Sequence, residues 1–228
     1  TWDRTRRGYC FTDEAAATRF DTSDNNFKIR GNVGVSYPNG GEVFKVGSSE
    51  ILTWTRSGSF GNVDILYSTD GGVTFPNTLA TNQTGTTYTW NPVPDVIGTT
   101  VRVRVRANAA AYQGDTLDDS NANLAIKGSL TMTSPNGGES WGAGTSRVLT
   151  WNKTGTLGDV KLEYSTDGGV TYPNTIIAAT PASTDPPTGV DNGQYTWTVA
   201  PTSGTQYRVK ITLLSDTTVL DTSNANFT

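Results

Sequence analysis

The chain has 228 residues, no histidine, one cysteine and a formal net charge of −4. Without histidine there is no Ser-His-Asp triad and no histidine-bound zinc, and Cys10 alone forms neither an internal disulfide nor a thiolate metal site. The acidic balance argues against nucleic-acid binding, and no apolar run approaches the ~20 residues that span a bilayer.

The first 31 residues end in a motif that returns along the chain. Residues 21–29 match residues 118–126, which lie 97 positions later, and 223–227 repeat the core of the motif. Residues 1–31 are therefore predicted to be the C-terminal part of a preceding repeat. Two explanations stay open. The chain is a segment of a longer tandem array, in keeping with the missing initiator Met and signal peptide, or the orphan strand pairs with a neighbouring molecule.

Residues 32–128 and 129–228 are predicted to be two copies of one domain. Three matches share the offset of 97: residues 37–42 with 134–139, 52–54 with 149–151, and 67–78 with 164–175. Residues 88–90 recur at 195–197, which predicts an insertion around Thr180–Asn192. So many matches in the same order establish an internal repeat.

Each copy predicts short strands between turns rich in Gly, Asn, Asp and Pro, without helical periodicity. In residues 101–106 valine alternates with arginine, the period-two pattern of a strand with one buried face. The strands predicted in the second copy are 129–133, 147–151, 160–165, 171–178, 194–199, 207–213 and 218–227. This pattern predicts an all-β protein of tandem immunoglobulin-like β-sandwich repeats. The tryptophans expected in their cores are Trp54, Trp90, Trp151 and Trp197. The short seam at residues 125–129 predicts a semi-rigid rod.

Several segments of the second copy carry a resemblance to a known family. They read Ser-Pro-Asn-Gly-Gly-Glu-Ser-Trp at 134–141, Leu-Thr-Trp at 149–151, Tyr-Thr-Trp-Thr-Val at 195–199 and Tyr-Arg-Val at 207–209. The chain resembles, over nearly its whole length, the immunoglobulin-like repeats of the Kre9/Knh1-type Ser/Thr-rich cell-wall family, which also occur in large secreted prokaryotic surface proteins. The resemblance implies an extracellular or cell-surface location, tandem arrays and a structural or adhesive role, with no catalytic residues.

Two turns resemble the Asp-box hairpin, the S-x-D-x-G-x-T pattern of sialidases and other secreted β-proteins. Their residues are Ser68, Asp70, Gly72 and Thr74 in the first copy, and Ser165, Asp167, Gly169 and Thr171 in the second. The carboxylate is expected to accept hydrogen bonds from turn amides, and glycine permits a positive φ. The resemblance implies a structural turn away from any active site.

A stripe of cations has two interpretations. It comprises Arg102, Arg104 and Arg106, with Arg208 and Lys210 in the second copy. Such a stripe would suit an acidic polysaccharide or the carboxylates of a partner. The favoured interpretation is the solvated face of a strand whose charges also discourage edge pairing.

Acidic residues cluster near the last turns of each copy: Asp115, Asp118, Asp119, Asp216 and Asp221. A calcium site needs six to eight oxygens, and no D-x-D-x-D loop occurs, so ordinary turn acids are favoured. A carboxylate pair for glycoside hydrolysis stays open, although a small sandwich offers little concavity. No catalytic residue, metal or cofactor is predicted.

Three asparagines begin N-x-[ST] triplets and are candidate glycosylation acceptors: Asn82, Asn152 and Asn226. Phe44, Tyr112 and Trp141 either stack on sugars or pack at sandwich edges, and packing is favoured.

These features predict a non-enzymatic extracellular or cell-surface protein with a structural or adhesive role. Its partners would be copies of itself or adjacent repeats of a longer chain, with surface glycans as further candidates. In one version a strand is donated to the sheet of the next subunit and builds a filament. That strand would comprise Asn26, Phe27, Lys28, Ile29 and Arg30. The alternative function is a carbohydrate-binding accessory region of a large secreted hydrolase.

Overall fold

A computed structural model describes residues 10–13, 16–20, 23–183 and 192–228, with side chains from residue 23 onward. Part of the predicted insertion around Thr180–Asn192, and part of the predicted 1–31 segment, lie outside the described residues. The described residues contain strands and turns but no helix. The all-β prediction is confirmed for this part of the chain.

A short hairpin precedes the two larger units. Strand β1 (Cys10–Asp13) pairs antiparallel with β2 (Ala16–Phe20). Residues 23–31, which contain no strand, lead from this hairpin to the first unit.

The first unit is built from two sheets. Its strands are β3 (Asn32–Tyr37), β4 (Val43–Lys45), β5 (Glu50–Ser57), β6 (Val63–Ser68), β7 (Asn77–Gln83), β8 (Thr87–Trp90), β9 (Gly98–Ala107), β10 (Leu117–Asp119) and β11 (Leu124–Lys127). One sheet has the order β3-β5-β8, and the other has the order β4-β11-β9-β6-β7 with β10 also paired to β9. The β4–β11 pair is parallel, whereas the other pairs are antiparallel.

The second unit repeats this plan with fewer strands. Its strands are β12 (Ser129–Ser134), β13 (Ser146–Thr154), β14 (Asp159–Ser165), β15 (Asn174–Pro181), β16 (Asn192–Thr198), β17 (Arg208–Leu213) and β18 (Leu220–Thr222). The sheet orders are β12-β13-β16 and β15-β14-β17-β18. An isolated bridge between Tyr207 and Phe227 stands where the first unit pairs β9 with β11.

Each unit has its own hydrophobic core between its two sheets. In β9 the alternating valines Val101, Val103 and Val105 are at most 1% exposed, because one face of the strand points inward. The tryptophans predicted in the core, Trp54, Trp90, Trp151 and Trp197, are also buried. The two cores take their residues from 33–126 and from 130–227. With this strand order, each unit is an immunoglobulin-like β-sandwich.

The seven strands predicted in the second unit are present with bounds that differ by one to five residues, and side-chain hydrogen bonds account for two of the differences. The strand predicted at 171–178 begins at Asn174, because the backbone and hydroxyl of Thr171 bond to Asp167 instead of joining the ladder. The strand predicted at 218–227 ends at Thr222. The next residue, Ser223, is buried and donates its hydroxyl to Pro135 O, so the chain turns away before it returns at Phe227.

Candidate functional site

The two predicted aspartate turns have matching hydrogen bonds. In the first unit, Ser68 Oγ donates to Asp70 Oδ1 at 2.5 Å and accepts from Gly72 N at 2.9 Å. Asp70 then accepts from the backbone amide and the hydroxyl of Thr74, at 3.0 and 2.5 Å. Distances in the second turn differ by at most 0.1 Å. The valine at the tip of each turn is more than 80% exposed.

This hydrogen bonding sets the charge state of the two aspartates. The hydroxyl of Ser68, followed by that of Thr74, holds the pKa of Asp70 well below its usual range, and Ser165 and Thr171 do the same for Asp167. Each group donates to the ionised carboxylate and therefore favours it. At neutral pH both turns carry a fixed negative charge.

We expect Ser165→Ala to raise the pKa of Asp167 toward its ordinary value while that of Asp70 stays low. The folded-state pKa of each aspartate lies below its unfolded-state pKa, which is near 3.8. Above pH 3.8 each carboxylate therefore contributes its full stabilisation to the turn. This stabilisation is lost as the pH falls through the folded-state pKa. Carboxyl chemical shifts followed through an acid titration would measure both groups in one molecule. Unchanged titration of Asp167 would show that the serine does not control its charge.

The arginines of β9 lie in the middle of a sheet. Since β9 pairs with β6 on one side and with β10 and β11 on the other, the prediction that Arg102, Arg104 and Arg106 discourage edge pairing is wrong. Arg104 pairs with both carboxylate oxygens of Asp119, at 2.6 and 2.8 Å, and lies over the ring of Phe75 at 3.9 Å. Within the unit, the guanidinium of Arg104 is therefore held by an ion pair with Asp119 and by stacking on Phe75.

The cations of the second unit are engaged in a similar way. Arg208 Nε donates to Asn226 Oδ1 at 2.7 Å, and Lys210 pairs with Glu163 at 2.9 Å. An acidic ligand at this stripe would have to displace these intramolecular partners.

The five candidate acidic residues do not converge. Asp118 accepts from the backbone amide of Val35 at 2.8 Å, and Asp221 accepts from that of Met132 at 2.6 Å, so each bridges the two sheets of its unit. Asp115, Asp119 and Asp216 each pair with a cation. Among the described residues, no group of three or more His, Cys, Asp or Glu side chains is placed to hold a metal ion.

The candidate glycosylation sites differ in accessibility. Asn82 and Asn152 are exposed, although Asn82 Oδ1 accepts from Asn62 Nδ2 at 2.8 Å. Asn226 is half-buried and accepts from Arg208. The first two positions therefore offer more room for a glycan.

The three candidate sugar-stacking aromatics are far from equivalent. Phe44 is buried at 1% exposure in the first core, and Trp141 packs against Phe227 with ring centroids 5.2 Å apart. Tyr112 is 39% exposed. Packing, the favoured interpretation, is confirmed for Phe44 and Trp141.

The candidate docking strand lies against the first unit. Lys28 and Arg30 pair with the two oxygens of Asp115 at 3.0 and 3.2 Å. Ile29, between them, is 80% exposed, whereas Ile126, which it matches 97 residues later, is fully buried in the first core. Asn26 and Phe27 precede this contact and are also exposed.

The two units meet at a joint formed by Gly128 and the side chains around it. Gly128 alone separates β11 from β12. Asp95 Oδ2 accepts from both the amide and the hydroxyl of Thr156 at 2.7 Å. Lys127 pairs with Asp216 at 2.8 Å, and this interaction, together with hydrogen bonds from Thr218, lowers the pKa of Asp216 to about 2. Two sets of polar contacts therefore link the units.

The short seam is visible in the sequence, but the side chains that form the joint are not. Asp95 and Thr156 are 61 residues apart and belong to no local motif. One signal was present: a cation followed by glycine precedes the first strand of each unit, as Arg30-Gly31 and as Lys127-Gly128.

No known protein family and no curated protein matches the sequence. Solved structures that match include fibronectin(III)-like modules of CbhA from Clostridium thermocellum, at 14% identity and a TM-score of 0.28, covering 86% of this chain and 92% of that one. A chimeric titin Z1Z2 tandem matches at 17% identity and 0.27, covering 89% and 97%. The four N-terminal immunoglobulin domains of a Dscam1 isoform match at 12% and 0.36, covering 90% and 45%. Such low scores assign no function, and the fold class given above follows from the strand order.

The described part of the chain has no helix of the length and apolarity needed to cross a membrane.

Proposed function

We propose that this chain is a non-enzymatic structural or adhesive segment of a tandem immunoglobulin-like array, on a cell surface or in an extracellular filament. The observation that carries the proposal is the joint. A single residue separates the two sandwiches, and Asp95 and Lys127 form hydrogen bonds and an ion pair across it. Units joined in this way make a stiff rod. A stiff rod suits a structural or adhesive protein that must hold its binding surface away from the cell or filament to which it is attached.

The side chains most often used in catalysis are either missing from the sequence or bonded to other groups of the protein, and this supports a non-enzymatic role. The chain has no histidine, and its single cysteine is Cys10. The carboxylates of Asp119 and Asp216 are paired with cations, and those of Asp118 and Asp221 hold backbone amides. These groups are occupied in maintaining the fold.

The extracellular location is supported by the resemblance to the Kre9/Knh1-type cell-wall family. Immunogold electron microscopy of the source cells, with antibodies raised against the whole chain, would test it. We expect the label on the cell surface or on extracellular filaments. Label confined to the cell interior would contradict the proposed function.

The strand-donation version of the proposal concerns residues 26–30. Ile29 is exposed, whereas its equivalent in the repeat, Ile126, fills the core of the first unit. A sandwich that lacks its own last strand would therefore bury Ile29 by accepting residues 26–30. Electron microscopy and light scattering would compare the chain 1–228 with one beginning at Asn32. Polymers formed only by the longer chain are expected. If both chains are monomers, strand donation is excluded, but the proposal of a tandem array is not affected.

A further inference from the structure

The contact between residues 28–31 and the first unit repeats the contact between the two units. Arg30-Gly31 and Lys127-Gly128 are 97 residues apart, and each directly precedes the first strand of a unit. Arg30 pairs with Asp115 in the loop after β9, and Lys127 pairs with Asp216 in the corresponding loop after β17. The same ionic contact therefore occurs at the entry to both units.

The glycines in these two segments also fit against equivalent side chains. A Cβ on Gly31 would lie 2.1 Å from Phe60 Cδ1, and a Cβ on Gly128 would lie 2.5 Å from Leu157 Cδ2. Phe60 and Leu157 are again 97 residues apart. Each entering chain thus passes an apolar side chain at an equivalent position, so close that a Cβ would force a neighbouring atom to shift.

The two entry surfaces differ in what covers the adjoining loop. On the second unit, Thr156 bonds to Asp95, and a Cβ on Gly155 would lie about 3 Å from Ile97 and Val46 of the first unit. On the first unit the equivalent loop is Gly58-Ser59, and both residues are exposed, although a Cβ on Gly58 would lie 3.0 Å from Gly31 Cα of the entering chain. Ser59 makes no hydrogen bond with the described residues. Its hydroxyl and amide can therefore donate to a carboxylate of another unit, just as the hydroxyl and amide of Thr156 donate to Asp95.

We propose that the exposed loop Gly58-Ser59 is a docking surface for the C-terminal end of another sandwich unit of this kind. The neighbouring Phe60, which is buried, and Asp115 already contact residues 28–31 and hold the entering chain beside this loop. The fitting partner carries a carboxylate at the position of Asp95 and an apolar side chain at that of Ile97, as the first unit itself does. Its last strand would continue into residues 26–31, so the joint between the two units is repeated. The inference rests on the proposed tandem array and specifies how its members stack.

The C-terminal end of the second unit fits this surface less well. Aligning Trp90–Pro94 with Trp197–Pro201 places Thr202 at the position of Asp95, which removes the carboxylate. The preferred occupant of this surface is therefore a preceding unit like the first one, rather than the second unit of another chain.

A chain with three full units tests the proposal. Residues 1–128 are followed by residues 32–228, so that every residue of the natural chain is kept and the first unit occurs twice. Cys10→Ser removes the native thiol. Asp95→Cys in the upstream copy and Ser59→Cys in the downstream copy place thiols where Asp95 and Thr156 meet in the natural joint. The natural chain carrying Asp95→Cys and Thr156→Cys is the reference.

We expect the new pair to form a disulfide to the same extent as the reference pair. We also expect at least about tenfold more cross-linking than with a control chain in which Ala110→Cys replaces Asp95→Cys. Ala110 is exposed and follows the far end of the ten-residue strand β9, whereas Asp95 precedes its start, and cysteines whose Cα atoms are more than about 7 Å apart are not bridged. Cross-linking no greater than this control, with the reference pair bridged, would overturn the docking surface. That result would not bear on the proposed extracellular location. Conversely, immunogold labelling inside cells would contradict the proposed location but not the docking surface.

Discussion

Replacing Trp151 with phenylalanine is expected to destabilise the second unit by about 1–3 kcal/mol more than the equivalent Trp54→Phe destabilises the first. Trp151 is fully buried, and its Nε1 donates to Ala182 O at 2.9 Å. Trp54, at the equivalent position, is 2% exposed, and its buried Nε1 has no hydrogen-bond partner among the described residues. Phenylalanine therefore removes a donor to the buried carbonyl of Ala182 in the second unit, whereas in the first it removes a donor that has no partner among the described residues.

The comparison isolates the hydrogen bond because both substitutions remove the same atoms from a sandwich core. The loss of packing is then similar in the two units and largely cancels in the difference. Urea unfolding, followed by amide NMR signals that report on each unit separately, would give both free energies. Equal losses in the two units would show that the bond from Trp151 to Ala182 adds nothing to stability.

The second large effect is expected at the joint, where Gly128→Ala should release the two units from one another. The new Cβ would lie 2.5 Å from both Leu157 Cδ2 and the carbonyl oxygen of Thr154. A backbone oxygen does not yield as a flexible side chain does, so the chain must shift and overpacking of about 1–3 kcal/mol falls on the joint. The ion pair between Lys127 and Asp216 should then be lost.

Amide relaxation would measure this release, since units that are fixed together tumble as one body. In the natural chain we expect one rotational correlation time for both units, and in Gly128→Ala two shorter ones with both units still folded. Gly158→Ala is the matched control, because a Cβ there meets no atom within 4 Å. Slow common tumbling in Gly128→Ala would mean that the glycine is not required at the joint.

Much of the fold is visible in the sequence because its causes are local. The alternation of Val101, Val103 and Val105 with arginines predicts a strand with one buried face, and those valines are buried. The aspartate turns are also local, since Asp70 accepts from Ser68, two residues before it, and from Thr74, four residues after it. Short-range spacing was sufficient for both features.

Features that depend on which strands become neighbours were harder to predict. Periodicity places Arg104 on the outer face of a strand, but does not say that the strand is central or that Asp119 lies beside it. The joint has the same difficulty, because its contact between Asp95 and Thr156 exists only after both sandwiches have formed. A local pattern could indicate a short seam but not the bonds across it.

A stiff array and a repeated joint both require that the two sandwiches are held in one orientation. Residual dipolar couplings of backbone amides in the full chain would test it directly, since they report the orientation of each unit in a common frame. We predict that a single alignment tensor fits the couplings of residues 32–127 and 129–228 together. Two tensors of different magnitude would contradict the account, because they would show that the units reorient independently despite the bonds of Asp95 and Lys127 across the joint.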